Sequence, residues 1–380
     1  MKKIFLIAGE ASGDQLGAGL MAALKKQNPD IEIKGIGGER MQAEGLQTLF
    51  AIEDIALMGF AEILPHIPKV LKRIKQTVQA IEDYQPDAVV TIDSPGFNFR
   101  LVKTLRERGN GAPKFIHYVA PTVWAYKPER AKKTAALYDH LLVLLPFEPP
   151  YFEAEGLATS FVGHPVMDDL EEAFARRTSW EMDEKKPLKI ATLPGSRKGE
   201  LARMLPVYKA TLARLKKRFS DIELIIATTQ AMEETIRQAI ASWNVTYRLV
   251  SDPLLKQRSY YACDVGLVKS GTVALEVAKT GLPMIVAYKV NPVSAWLLKR
   301  MIKTPFANLV NILAGREIIP ELLQGQCTPK KLERALMTLI ENEPARQKQA
   351  NDAHEALERM RNPEGLPASQ KAAEIVMELI

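Results

Sequence analysis

The 380-residue chain has only two cysteines, Cys263 and Cys327. Two are too few for a disulfide framework, and the scarcity fits a reducing compartment. Its five histidines are scattered, with no H-E-x-x-H and no paired-cysteine spacing, so no protein-bound metal is expected. No apolar run reaches the length needed to span a bilayer. The opening MKKIFLIAGEASG imitates a secretion signal, but its apolar part, Ile4 to Ala8, is too short and Glu10 follows at once. It reads instead as a first buried strand. A cytoplasmic protein is expected, one that can still lie on a membrane surface. A strong excess of one charge is also lacking. A net charge of +6 permits an acidic partner such as a phosphate or an anionic membrane surface without demanding one, and no nucleic acid is expected. Low-complexity segments are lacking too.

What is present is ordinary globular material: 47% hydrophobic and 25% charged residues. The length exceeds what one core usually spans, so two domains are expected. Short apolar runs alternate with helical spacing. The fold class this implies is α/β, with two Rossmann-like doubly wound parallel sheets. The spacing places an N-terminal domain at 1–167 and a charged linker at 168–186. A second α/β domain follows at 187–345, and C-terminal helices at 346–380 are expected to pack back on the first domain.

In the first half, Ile4 to Ala8 leads into the turn Gly9-Glu10-Ala11-Ser12-Gly13-Asp14, then a helix from about Gln15. Gly17 to Ala22 matches the dinucleotide pattern G-x-G-x-x-A, but it falls inside that helix rather than at the strand-to-helix turn. The turn itself carries Glu10, Ser12 and Asp14. Two carboxylates there repel a pyrophosphate and suit substrate hydroxyls; the plainer reading is a helix cap, a role Asp14 is expected to fill in either case. Ala88 to Ile92 is a strand ending at Asp93, with a helix from about Phe99. A carboxylate at the C-terminal tip of a parallel strand sits where such sheets bind ligands, and partial desolvation suits it to general-base work. The alternative is a turn or N-cap residue. Ile63 to Val78 reads equally as a membrane-surface helix with a basic face or as a core helix with a solvated one. Gly59-Phe60 ahead of it suggests an exposed apolar loop. Trp124 and Tyr126 either wall a cleft or pack, and His164 reads as a phosphate contact or a hinge residue.

The second half is organised around Asp264 to Lys279. A strand, Val265 to Val268, turns at Lys269-Ser270-Gly271-Thr272 into a helix. A glycine turn at a helix start offers backbone N–H groups to an anion. Ser270 and Thr272 add hydroxyls, and Glu276 lies one turn on, placed to accept from a sugar diol. A capped helix with a surface glutamate is the plainer alternative. A second such turn, Pro194 to Glu200, is not a Walker loop but carries Arg197, which suits a pyrophosphate. Trp296 to Lys303 is a further apolar and basic segment.

The segments AGEASGD (from Ala8), IDSPGFN (from Ile92), YVAPTVWAY (from Tyr118), LPFE (from Leu145), LPGSRKGE (from Leu193), SGTVALE (from Ser270) and NILAGRE (from Asn311) resemble, in order and across nearly the whole chain, those of the lipid-A-disaccharide synthase family. The resemblance implies a GT-B glycosyltransferase with its active site in the cleft between two domains. It implies inverting transfer from UDP-2,3-diacylglucosamine to 2,3-diacylglucosamine 1-phosphate, with release of UDP, and no cofactor or metal. It also implies work at the cytoplasmic face of the inner membrane of a Gram-negative cell, and a homodimer with exchanged C-terminal parts. By position, Asp93 matches the family's essential aspartate, and Glu10 and Ser12 match its first glycine loop. Arg197, Ser270, Gly271, Thr272, Glu276 and Asn311 match the UDP side. Ser94-Pro95-Gly96 departs from the Ala-Pro-Asp frequent in relatives and removes a neighbouring acid. Other readings are a different UDP-sugar enzyme of the same fold, such as a soluble transferase or an epimerase, and a non-catalytic UDP-sugar or lipid-binding protein. A nicotinamide oxidoreductase is disfavoured by the misplaced G-x-G-x-x-A.

Overall fold

The computed structural model describes the chain except residues 56–66, 110–112, 178, 180, 181, 183–185 and 292–303. The Gly59-Phe60 loop, the start of the Ile63 segment and Trp296 to Lys303 therefore lie outside the described residues. The chain divides into two compact units, Met1–Asp168 with Met360–Ile380, and Asp169–Arg359. The stretch read as a linker thus opens the second unit and supplies its helix Leu170–Ala175. Of the C-terminal helices, Glu343–Glu358 belongs to the second unit and Ala368–Leu379 to the first.

The first unit holds strands β1 (Lys3–Ala8), β2 (Glu32–Ile36), β3 (Ala88–Ile92), β4 (Lys114–Tyr118), β5 (His140–Val143) and β6 (Ala158–Phe161). They form one parallel sheet in the order β2-β1-β3-β4-β5-β6. β1 shows why its sequence is apolar throughout. Ile4 and Leu6 bury into the core on one face, while Phe5 and Ile7 bury into the core on the other. A strand covered on both sides has no polar alternation. Helix Ala368–Leu379 closes one face, burying Ala372, Ala373 and Val376 in the core that contains Ile4 and Leu6.

The second unit repeats the plan with β7 (Leu188–Leu193), β8 (Ile222–Ala227), β9 (Thr246–Val250), β10 (Val265–Val268), β11 (Met284–Tyr288) and β12 (Glu321–Leu323). All are parallel, in the order β12-β11-β10-β7-β8-β9. In each sheet the chain starts centrally, builds one edge, then crosses to build the other. The crossing point lies between β1 and β3 in the first unit and between β7 and β10 in the second. Ligands of open α/β sheets bind outside the carboxyl ends of the strands at such a point.

Two expectations are corrected. The turn after β1 is only Gly9-Glu10, because the helix runs Ala11–Gln27 and takes in both Ser12 and Asp14. Asp14 does not cap that helix. Its buried carboxylate instead accepts from the backbone N–H groups of Gly38 (2.7 Å), Arg40 (3.0 Å) and Met41 (3.1 Å), satisfying the exposed donors of helix Glu39–Ala43. Gly17 lies inside the same long helix, and a Cβ there would sit 2.4 Å from the Met41 sulfur. The glycine pattern serves packing, not a dinucleotide.

Between the two readings left open for Ile63 to Val78, helix Ile67–Tyr84 takes the core-helix one. Val70, Ile74, Val78 and Ile81 are buried at helical spacing. Lys69 and Arg73 pair with Asp54, the latter through Nε at 2.9 Å. Within the helix Ile74 points inward, while Leu71 is 49% exposed.

Candidate active site

In the first unit, β1 and β3 align Ala8 with Ile92, so Gly9 and Asp93 leave the sheet side by side. The approach is close enough that a Cβ on Gly9 would lie 2.3 Å from the Ser94 Cβ. Asp93 and Ser94 both have left-handed backbones, φ 50° and 46°. Such conformations cost non-glycine residues free energy and persist only when the surroundings hold them. The hold is visible. The Asp93 N–H donates to the Tyr118 carbonyl (2.9 Å), and the buried Asn98 amide donates to the Asp93 carbonyl (2.7 Å). The next strand ends the same way, with Val119 at φ 80° and its N–H on the Leu142 carbonyl (2.9 Å). Helix Pro95–Arg108 begins at once, earlier than the spacing suggests, because Pro95 is suited to a first helical position.

Asp93 is half-buried. Burial pushes its carboxyl above the usual carboxylate range, with the Ser94 backbone N–H opposing the shift. Glu10, also half-buried, holds the N-cap position without a side-chain cap, and Ser12 is exposed on the first turn of the helix. Asp93, Glu10 and Ser12 thus belong to neighbouring strand ends at one crossing point.

Beside Asp93, β4 exits into the aromatic stretch. The half-buried Trp124 donates Nε1–H to Glu148 Oε1 (3.1 Å), and its ring meets Phe147 edge-on at 5.3 Å. Glu148 is buried, and its other oxygen accepts from the Leu145 N–H (3.1 Å). Burial raises its carboxyl to about 7 against the pull of those donors. His164 takes the structural role: its Nδ1 accepts from the Val166 N–H (3.1 Å) to cap the short helical turn Pro165–Met167.

The second unit presents two turns. β10 and β7 align Val268 with Leu193, so the turns 194–197 and 269–272 leave together. Gly195 (φ 122°) and Gly271 (φ 154°) supply backbone geometry that side chains resist. Arg197 is exposed at the start of the 18-residue helix Lys198–Leu215. Gly271 and Thr272 are exposed ahead of helix Val273–Lys279. At seven residues that helix is much the shorter of the two, so the longer one offers the more complete set of aligned dipoles. Glu276 reaches solvent, yet the protein crowding its carboxyl raises its pKa, with Lys256 pulling it back down.

Two residues of the UDP-side set are engaged within the fold. The Ser270 hydroxyl donates to the Ala307 carbonyl (2.9 Å), so its proton is already used. Asn311 is a correction. It is fully buried and its amide is saturated: Nδ2 donates to the Ile319 carbonyl and Glu321 Oε1 (both 2.8 Å), and Oδ1 accepts from the N–H groups of Ile318 (2.8 Å) and Ile319 (2.9 Å). With both amide hydrogens and both lone pairs spent, it braces the chain entering β12 and has nothing left for a ligand.

Sequence reasoning passed over Asn98, Glu148, Lys269 and Glu200. Asn98 and Glu148 close quoted segments and Lys269 and Glu200 stand in named turns; Asn98 bonds the Asp93 carbonyl only five positions back, while the other three depend on partners further off. Glu200 is the clearest case, bonded to Lys269 Nζ at 2.7 Å across 69 positions. Among the described residues, Glu171, His354 and Glu358 could gather ligand atoms within 4.8 Å of one another. They lie on helices Leu170–Ala175 and Glu343–Glu358 of the second unit, and among the described residues the motif-bearing positions form no such cluster.

Comparison with known proteins gives the fold and the family. The structure resembles Acinetobacter baumannii MurG (TM-score 0.57, 15% identity, all of both chains). It also resembles a Staphylococcus aureus MnaA–UDP co-structure (TM-score 0.65, 14% identity, 100% of this chain and 98% of that one). These likenesses show the GT-B fold. By sequence, the lipid-A-disaccharide synthase of Rhodospirillum centenum is 45% identical over 383 residues, 99% of this chain and 94% of its own. That of Paramagnetospirillum magneticum is 45% identical over 385 residues, with 99% and 97% covered. The family description "Lipid-A-disaccharide synthetase" matches residues 4–376. With nearly every residue inside that match, the chain belongs to the lipid-A-disaccharide synthetase family of glycosyltransferases.

Proposed function

We propose that the chain transfers 2,3-diacylglucosamine from UDP-2,3-diacylglucosamine to the 6-hydroxyl of 2,3-diacylglucosamine 1-phosphate with inversion, forming the β(1→6) disaccharide and UDP. The observation that carries the reading is Asp93. It is a half-buried carboxylate with a raised pKa, at the tip of a central strand, on a backbone held in a left-handed conformation. A base in such a site is poised to take a hydroxyl proton. As the acceptor oxygen attacks the anomeric carbon, its proton passes to Asp93. The bond from that carbon to the diphosphate oxygen breaks, and its electron pair leaves with UDP.

The second unit receives the leaving group. Arg197 at the start of a long helix and the Gly271–Thr272 turn offer the cationic and N–H donors that stabilise charge growing on a diphosphate. Glu276 accepts from the ribose. The basis for UDP as carrier is family membership, together with the fold shared with a UDP-bound relative in structure. Among the described residues no helix is long and apolar enough to cross a membrane. The acyl chains are met at the inner-membrane surface, by a homodimer with exchanged C-terminal parts as the family resemblance implies.

The test is UDP release in mixed micelles with both lipid substrates. Acceptor-dependent UDP and a new disaccharide are expected, and Asp93→Asn should lower turnover by roughly 10²–10⁴-fold. Near-normal turnover in the variant removes Asp93 as base. UDP release without acceptor indicates hydrolysis, and turnover of a water-soluble acceptor indicates a different transferase.

A further inference from the structure

Glu200 is the third residue of helix Lys198–Leu215 and is 3% exposed. A carboxylate so placed must be compensated. Its Oε1 accepts from Lys269 Nζ at 2.7 Å and from the Tyr288 hydroxyl at 3.4 Å, and its Oε2 accepts from the Ser196 N–H at 3.2 Å. Arg197 Nη1 stands 3.9 Å from Oε1. Gly195 folds over the same group: a Cβ there would lie 2.6 Å from Oε2. One carboxylate therefore ties together the turn after β7, the tip of β10 and the end of β11. These are the strand ends on both sides of the unit's crossing point. Burial alone would raise the Glu200 pKa, but Lys269, the Ser196 N–H and Arg197 outweigh it and hold it low.

A plain structural ion pair could sit anywhere in the helix. This one sits under the two turns, and the Lys269 side chain remains 19% exposed. An ammonium has three donors, and one is spent on Glu200. We infer that Lys269 is a further binding residue for the diphosphate of the donor, and that Glu200 is its positioning residue, fixing the ammonium and the Ser196–Arg197 backbone in one geometry. The inference rests on the second unit being the UDP side. Lys269 supplies charge at the phosphates and Glu200 never touches the ligand, so the nucleoside is held independently of both.

The experiment is calorimetric titration of the full chain with UDP and, in competition against it, with uridine. The variants are Lys269→Met, Lys269→Arg, Glu200→Gln and the double Glu200→Gln/Lys269→Met. Loss of a charge-assisted contact should weaken UDP by roughly tenfold or more in Lys269→Met. Uridine affinity should be unchanged, and Lys269→Arg should recover much of the loss. Glu200→Gln should weaken UDP alone, and the double variant should be no worse than Lys269→Met. UDP affinity within about twofold of wild type in Lys269→Met overturns the inference. So does an equal fall for uridine, which would mark general damage to the turns. If Glu200→Gln fails to fold, the two lysine variants decide. Wild-type protein that binds no UDP overturns the donor-side reading itself, and this inference with it.

Discussion

The two units carry buried glutamates that are equally hidden and oppositely tuned. Glu148 in the first and Glu200 in the second are each 3% exposed. Glu148 faces only neutral N–H donors, from Trp124 and the Leu144–Leu145 backbone, and burial wins: its carboxyl rises to about 7. Glu200 faces Lys269 and Arg197, and they win: its carboxyl falls below the usual range. Burial therefore does not fix the charge of a carboxyl; the partner does. The same contrast runs through the turns. The first unit spends strain on Asp93, Ser94 and Val119, side chains kept at positive φ, while the second gives Gly195 and Gly271 to its turns. One crossing point is built around a raised carboxylic acid, the other around cations and bare backbone. On the proposed reaction, a shared topology supports a proton-accepting half and an anion-holding half.

The sharpest way to break this contrast is pH. A carboxyl whose pKa is raised on folding stabilises the fold while protonated. For Glu148 that contribution is fully present below about 4.5, and is lost as pH rises through about 7. The size is on the order of 3 kcal/mol. Glu200 has the opposite sign: its contribution is present above the ordinary glutamate range and is lost as pH falls below it. Thermal unfolding at pH 5.5 and pH 8 should show the wild type losing several degrees at the higher pH relative to Glu148→Gln. Parallel curves for the two proteins would mean that the Trp124 and backbone donors already hold Glu148 ionised.

A smaller effect separates two kinds of glycine. A Cβ on Gly9 meets the Ser94 Cβ, an atom fixed to backbone, whereas a Cβ on Gly195 meets the held Glu200 carboxylate at 2.6 Å and the Glu200 Cβ at 3.0 Å. Gly9→Ala should cost about 1–3 kcal/mol through overpacking. The loss should shrink in Gly9→Ala/Ser94→Gly, where the obstructing atom is gone. Gly195→Ala adds a push on the Glu200 carboxylate to a positive-φ cost of about 1–2 kcal/mol, and should weaken UDP binding as well. Denaturant midpoints of the three proteins measure both. Additive losses in the double variant would show that the two first-unit turns do not press on one another.

How far such features were legible depends on the range of the interaction. β3 and β10 fell where the apolar runs of the sequence placed them, because a strand buried on both faces writes its own boundaries. Asp93 was legible because its neighbours in sequence, a strand and a proline-led helix, define its place. Asn311 misled for the opposite reason. A polar residue in an apolar frame looks like a ligand contact, and only the return of the chain at Ile318 to Glu321 shows where its hydrogen bonds go. Asp14 misled in the same way, since the helix it caps begins 25 positions later at Glu39. The basic face of helix Ile67–Tyr84 read equally for a membrane or for solvent, and only the pairing of Lys69 and Arg73 with Asp54 shows what two of its cations do.

The smallest effect bears on whether the strain in the first unit is functional. Ser94 is at φ 46°, occupies the N-cap of its helix and makes no side-chain cap hydrogen bond. Its hydroxyl therefore contributes little to the helix, and glycine should accept the backbone more readily. Ser94→Gly loses unfolded-state restriction of about 0.5–1 kcal/mol and gains relief from left-handed strain of about 1–2 kcal/mol. The net change should be stabilising by about 1 kcal/mol or less. Activity should move the other way, because a freer residue beside Asp93 no longer fixes the direction of its carboxylate, so kcat should fall while KM for the donor stays put. A variant that is more stable and equally active would show that the strain is incidental to the position of the base. One that is less stable would show that the serine side chain, not the backbone, holds the turn.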